Sequence, residues 1–90
     1  MYIETTEVIR VTKDIYGSED IYYPEDIIEV EYREEVSAVM PKYAIGRFDA
    51  IRNELIEGGQ FLHLDVSDKY RFNTILIPVD GIVNIRRVKE

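Results

Sequence analysis

The chain has 90 residues, a net charge of −7 and a hydrophobic fraction of 46%. This length fits a single domain over residues 1–90, and the hydrophobic fraction argues against disorder. The absence of cysteine excludes disulfides, zinc–thiolate sites and thiol catalysis. No apolar run approaches the ~18 residues of a membrane span and no signal-peptide pattern is present. We therefore expect a cytoplasmic protein without membrane contact.

The first part of the chain is predicted to consist of strands joined by acidic turns. Residues 2–12 alternate well enough for a strand that places Ile9 and Val11 on one face. Residues 14–19 contain glycine and serine among acids, which marks a turn. Residues 27–33 alternate between apolar and charged side chains, and this pattern predicts a strand with one solvent-facing side.

A change of period after Pro41 predicts one helix, near residues 44–57. The residues that recur there at helical spacing are Ile45, Phe48, Ile51 or Arg52, and Leu55. Gly58-Gly59 would end this helix.

Three further strands are predicted over residues 61–66, 70–77 and 82–88. The short polar turn between residues 66 and 70 implies an antiparallel hairpin. With about six short strands and one helix, the chain is predicted to be an α+β protein of mostly antiparallel β structure. A small barrel and a curved sheet are both compatible with this order of elements.

Residues 21–30 and 75–85 share the pattern apolar–x–apolar–Pro–x–Asp, followed by an alternating strand that begins with isoleucine. Proline cannot donate to a strand ladder, and aspartate accepts backbone N–H bonds in a tight turn. Each copy is therefore predicted to be a strand–turn–strand unit. The second copy and the hairpin before it resemble the closing strands of Sm-like and SH3-like small barrels in their apolar positions. The resemblance implies a short turn between the last two strands, and it does not extend to the RNA-contacting residues of Sm-like proteins.

Charge is divided unequally along the chain. Residues 1–35 hold eleven acids and three bases, a net charge of −8, whereas residues 36–90 carry +1. Such asymmetry bears on partners rather than on fold. An acidic surface repels nucleic acid, so we expect no direct nucleic-acid binding and instead a protein partner with a basic surface. Simple solubility is the alternative explanation.

Tyrosines within the acidic part suggest a binding surface. Tyrosine gives a large contact area with little entropy to lose, and beside carboxylates it can meet arginine and lysine from a partner. The predicted binding residues are Tyr16, Glu19, Asp20, Tyr22, Tyr23, Glu25 and Asp26. On a strand Tyr22 and Tyr23 point to opposite faces, so at most one of them is easily buried and the other is exposed.

These features predict a non-catalytic protein–protein binding module whose acidic, tyrosine-rich part engages a basic partner surface. In size, charge and lack of catalytic motifs, the chain resembles small acidic phage and mobile-element proteins that inhibit host defence nucleases. A second hypothesis is a self-assembling structural protein, a homo-oligomer whose basic tail docks on a neighbouring copy through Arg86, Arg87 and Lys89. A third is a small-ligand sponge with a pocket between subunits, for which Phe61, His63 and Asp65 are the candidate lining residues.

Neither enzyme activity nor a metal or other cofactor is predicted. His63 is the only histidine, and although it shares a strand face with Asp65, no motif supplies a nucleophile. One histidine with scattered acids does not make a transition-metal site, and the acidic run 14–20 lacks calcium-loop spacing. Gly58-Gly59 precedes a strand rather than opening a helix, so it offers no phosphate site.

Overall fold

A computed structural model describes residues 2–14, 16–35, 39–54 and 58–88, which form two antiparallel sheets. The first sheet has the order β1-β2-β3, with β1 (Tyr2–Thr5), β2 (Ile9–Thr12) and β3 (Glu19–Tyr22). The second has the order β7-β6-β5-β4-β8, with β4 (Ile27–Tyr32), β5 (Lys42–Asn53), β6 (Gln60–Asp65), β7 (Thr74–Pro78) and β8 (Ile82–Arg87). The prediction of a mostly antiparallel β protein is confirmed.

Residues 2–12 form a hairpin rather than one strand. In the turn between β1 and β2, the Thr6 N–H donates to the Val8 carbonyl at 3.1 Å. Ile9 and Val11 are both buried on one face of β2, as the alternation predicted.

The prediction of a helix near residues 44–57 is wrong for the part of that range that the structure describes. Residues 42–53 form β5, a strand of 12 residues, and residues 55–57 lie outside the described part of the chain. The first half of β5 pairs with β4 and its second half with β6. The long strand therefore links two halves of the sheet at the place where a separate helix was expected.

A β-bulge in β5 explains the helical spacing of Phe48 and Ile51. Phe48 lies opposite Leu64 and Ile51 opposite Leu62, so β5 carries one extra residue between these two pairs. Cross-strand partners share a face of the sheet, and the bulge thus sets Phe48 and Ile51 three residues apart on the same face. That spacing imitates one face of a helix.

Both Pro–x–Asp segments are strand–turn–strand units, as predicted. Neither unit is a simple hairpin, because β3 and β4 belong to different sheets and β7 and β8 lie at opposite edges of one sheet.

The five-stranded sheet curls so that its two edges meet at one short turn. Only the 3₁₀ turn Val79–Gly81 joins β7 to β8. The Arg33 N–H donates to the Gly81 carbonyl at 2.8 Å, which fixes this turn against the end of β4. Within the described residues, β7 and β8 do not pair with each other. The short turn expected from small barrels is therefore present, whereas a closed barrel is not.

One hydrophobic core joins the two sheets. The three-stranded sheet contributes Ile9, Val11 and Tyr22, and the five-stranded sheet contributes Ile28, Val30, Phe48, Leu62, Leu64 and Ile77 among others. Burying a side chain of this size stabilises the fold by about 1.5–3 kcal/mol. In the described part of the chain, every buried side-chain nitrogen or oxygen has a hydrogen-bond partner.

Candidate binding surface

The turn between β3 and β4 is a tightly bonded type II β-turn. The Asp26 N–H donates to the Tyr23 carbonyl at 3.1 Å, and the Asp26 carboxylate accepts the Tyr23 N–H at 2.9 Å. Pro24 takes the second position of the turn, and Glu25 takes the third with φ +83°. The Glu25 N–H donates to the Phe48 carbonyl at 2.8 Å and holds the turn on β5.

Glu25 occupies a backbone conformation that favours glycine. It is the one non-glycine residue with positive φ in the described ranges, and a left-handed conformation costs an L-residue roughly 1–2 kcal/mol. Its side chain is 73% exposed and pairs with Arg47 at 3.0 Å. An exposed ion pair contributes only about 0–1 kcal/mol, which does not fully offset this strain. The position therefore suggests a role for the Glu25 carboxylate other than stability.

Arg47 lies between two carboxylates. Its second guanidinium nitrogen is 2.7 Å from Asp65 Oδ2, and the Asp65 side chain also accepts the Ser67 N–H at 2.8 Å. Hydrogen bonds from Ser67, and then from Arg47, hold the pKa of the Asp65 carboxyl below its usual value. Of its two carboxylate partners, Asp65 is the less exposed, at 24% against 73% for Glu25.

Arg47 and Asp65 also line an open depression of about 460 Å³. Its other lining residues are Ile27, Ile45, Gly46, Val66 and Ser67. Ile45 is 55% exposed, so the depression has an apolar wall beside a charged one. Glu25 does not line this depression but pairs with Arg47, which does.

The structure separates the three predicted binding tyrosines. Tyr16 and Tyr23 are 89% and 53% exposed, whereas Tyr22 is 2% exposed and lies in the core. Tyr16 precedes β3 and Tyr23 follows it, so the four-residue strand, about 13 Å long, stands between them. The predicted residues therefore do not form one compact patch, and Tyr22 is not available to a partner.

The four predicted binding acids each have a base within the chain. The pairs are Glu19 with Arg10, Asp20 with Lys13, Glu25 with Arg47 and Asp26 with Arg87. Lys13 is the main reason that the pKa of Asp20 is lowered. Asp26 also caps the Tyr23 turn, so its first role is structural.

The two described arginines of the basic tail form contacts within the chain. Arg86 donates to both carboxylate oxygens of Glu29, at 2.9 and 3.0 Å, and lowers the pKa of that carboxyl. Arg87 donates to the Ile21 carbonyl at 2.8 Å and lies 5.1 Å from the centre of the Tyr22 ring. The third predicted oligomer contact, Lys89, lies outside the described residues. Arg86 thus links β8 to β4 within the five-stranded sheet, whereas Arg87 joins that sheet to β3 of the three-stranded sheet.

Ion pairs bridge the two parts of the charge split. Four of them join acids of residues 1–35 to bases of residues 36–90: Glu25–Arg47, Asp26–Arg87, Glu29–Arg86 and Glu34–Lys42. Within the described part of residues 1–35, the acids without an ion pair are Glu4, Glu7, Asp14, Glu31 and Glu35. The acidic part therefore keeps negative charge after internal pairing.

Within a single chain, the candidate residues of the predicted ligand pocket do not share any of the described cavities. His63 Nε2 lies 3.0 Å from Glu54 Oε1, while Asp65 is bonded to Arg47. Phe61 is buried, and the depression beside Asp65 contains neither Phe61 nor His63. Among the residues that the structure describes, no group of three or more His, Asp or Glu side chains is placed to hold a metal ion.

Sequence reasoning missed two features of the surface. The sequence predicts a helix at Arg47, and only its place opposite Asp65 in β5 and β6 shows its bridging role. Residues 70–73, which the sequence predicts to be part of a strand, belong to the loop between β6 and β7. The alternation of bases and aromatics at positions 69–72 was the sequence pattern that could have indicated an exposed loop surface.

No family model matches the chain, and no curated protein or solved structure matches it either. The fold therefore defines a class only: a small, mostly antiparallel β protein of two sheets. Among the described residues, no helix has the length and apolar character needed to cross a membrane.

Proposed function

We propose that the protein is a non-catalytic protein-binding module that engages a basic partner surface through Tyr23 and Glu25. The observation that carries this proposal is the conformation of Glu25, an exposed carboxylate held at φ +83° beside an exposed tyrosine. Its ion pair is too exposed to explain why glutamate stands there. A carboxylate presented to a partner does explain it.

The contact would form by exchange of one cation for another at Glu25. A partner arginine can replace Arg47 there, while Arg47 remains bound to Asp65 at 2.7 Å. The guanidinium of an arginine can donate two parallel hydrogen bonds to one carboxylate, and the ring of Tyr23 can stack on the guanidinium plane. The exchange costs little free energy because the ion pair that it breaks, between Glu25 and Arg47, is solvent-exposed.

The net charge of −7 extends this attraction beyond the contact itself. Long-range attraction raises the association rate with a positively charged surface and weakens as salt is added. A protein face that normally holds nucleic acid has this chemistry. A module bound to such a face would inhibit its owner by excluding the nucleic acid.

The experiment compares capture of basic proteins from a lysate of the source cells by the wild-type chain and by single variants. Tyr23→Ser and Glu25→Gln remove the proposed contacts, while Asp26 is left unchanged because it caps the turn. Tyr43→Ser and Glu7→Gln are the matched controls, because they remove an exposed tyrosine and an exposed carboxylate elsewhere.

We expect the captured partner, once purified, to bind the two control variants like wild type and to bind the two turn variants at least tenfold more weakly. Each tenfold loss corresponds to about 1.4 kcal/mol. The affinity should also fall with added salt. Equal affinity of the wild-type, Tyr23→Ser and Glu25→Gln proteins for that partner would overturn the proposal.

A further inference from the structure

The loop between β6 and β7 displays two aromatic side chains to solvent. Tyr70 is 82% exposed and Phe72 is 98% exposed. Lys69 lies 4.9 Å from the centre of the Tyr70 ring, and Arg71 stands between the two aromatics. Neither base forms an ion pair within the described part of the chain. The loop is thus a basic, aromatic protrusion on an acidic protein.

This loop is held in one shape by its own hydrogen bonds. Asp68 Oδ1 accepts the N–H groups of Tyr70 and Arg71, at 2.7 and 2.9 Å. Ser67 Oγ accepts the Asn73 N–H at 2.9 Å across the base of the loop. An ordered loop loses less entropy when it binds. The aromatic side chains are therefore presented on a preorganised support.

A cleft of about 300 Å³ has the complementary chemistry. It lies beside the 3₁₀ turn, where Pro78, Ile82 and Val83 give it an apolar lining. Three acids, Glu34, Glu35 and Asp80, outnumber its single base, Arg33. Val83 is 37% exposed. Neither Glu35 nor Asp80 has an ion pair among the described residues.

The loop and the cleft lie at opposite ends of β7. The loop ends where β7 begins at Thr74, and the cleft begins where β7 ends at Pro78. A strand of five residues separates them by about 16 Å. No residue of the loop lines the cleft of the same chain, and a second copy can bring the two surfaces together.

We propose that the protein associates with itself head to tail, with Phe72 of one copy inserted into the cleft of the next. Lys69 and Arg71 would then face Glu35 and Asp80 across the contact. A protruding apolar residue and a pocket at a different place on the same molecule form a heterologous contact, which closes into a ring or extends as a chain. This inference uses other residues than the proposed partner surface and does not rest on it.

The test measures native mass by light scattering on a sizing column, at the highest concentration that stays soluble. The loop variant is Tyr70→Ser with Phe72→Ser, and the cleft variant is Asp80→Lys with Val83→Lys. Tyr16→Ser is the control, because Tyr16 is 89% exposed and belongs to neither surface. Far-UV circular dichroism and urea midpoints establish that each variant is folded.

We expect oligomers for the wild-type and control proteins, and monomers of 10.6 kDa for the loop and cleft variants. The decisive sample is an equimolar mixture of the two monomeric variants. One intact loop and one intact cleft remain in that mixture, so it should form a dimer that cannot grow. A monomeric wild type, an oligomer that survives the loop variant, or a mixture that stays monomeric would each overturn the proposal.

Discussion

The hydroxyl of Tyr22 donates a hydrogen bond of 3.0 Å to the carbonyl oxygen of Ile85. This bond joins the three-stranded sheet to an edge strand of the five-stranded sheet, and both residues are buried. Burial, and then the charge of Asp20, raises the pKa of Tyr22, so the hydroxyl remains a donor at neutral pH. The unpaired edge of an open sheet can pair with a strand of another chain. At Ile85, the edge of β8 is instead bonded to the Tyr22 side chain of the same molecule.

Replacing Tyr22 with phenylalanine should lower the free energy of unfolding by about 1–2 kcal/mol. The variant keeps the buried ring but leaves the Ile85 carbonyl without this donor, and an unsatisfied buried group costs about 1–3 kcal/mol. Urea denaturation followed by circular dichroism measures the change. Tyr16→Phe is the control and should be neutral, because Tyr16 is 89% exposed. Equal midpoints for the two variants would show that the bond between the sheets contributes nothing.

Glu25→Gly should stabilise the protein by up to about 1 kcal/mol. Glycine adopts φ +83° without strain, and the exposed ion pair that is lost contributes little. Glu25→Gln, which keeps the strain, should have a urea midpoint close to wild type. Both variants should nevertheless bind the partner more weakly. A decrease in stability for Glu25→Gly would contradict the type II turn.

Gly46→Ala distinguishes the observed strand from the predicted helix by the sign of its effect. In a helix interior, alanine is more favourable than glycine by roughly 0.5–1 kcal/mol. In β5, a Cβ atom at residue 46 would lie 2.6 Å from the Asp65 carbonyl oxygen, and relieving such a contact costs about 1–3 kcal/mol. We therefore expect a lower urea midpoint for Gly46→Ala, and a higher one would support the helix.

Acid should destabilise the protein through its paired carboxyl groups. The pKa is lowered for Asp14 by Ser18, for Asp20 by Lys13, for Glu29 by Arg86 and for Asp65 by Ser67. A group whose pKa is lower in the folded state stabilises that state above the unfolded pKa, which is 3.8 for aspartate and 4.5 for glutamate. This contribution is lost as the pH falls through the folded pKa.

The urea midpoint should therefore decrease between about pH 5 and about pH 2. Glu29→Gln should be less stable than wild type at neutral pH, because Arg86 loses its carboxylate, and its midpoint should change less over the acid range. Glu7→Gln removes an exposed carboxylate without an ion pair among the described residues and should follow the wild-type curve. Parallel curves for wild type and Glu29→Gln would show that this pair is not coupled to folding.

Local sequence patterns predicted the parts of this fold that depend on local geometry. The alternation in residues 27–33 gave β4 almost to its ends, with Ile28 and Val30 fully buried. The Pro–x–Asp pattern gave both turns, because proline and aspartate act on the backbone next to them. The pattern failed in β5, where an extra residue at the bulge shifts the alternation. Periodicity alone cannot distinguish that shift from a helix.

The sequence by itself determined the β-rich class, the inward faces of β2 and β4, and the presence of acidic charge with exposed tyrosine. Only the tertiary structure decided which charges meet. Arg47, Arg86 and Arg87 pair with acids 22, 57 and 61 residues away in the chain. Periodicity reports the face on which a side chain lies, whereas a partner at that distance depends on how the sheets are ordered and packed. The same packing placed Tyr22 in the core and left Tyr23 and Glu25 at the surface.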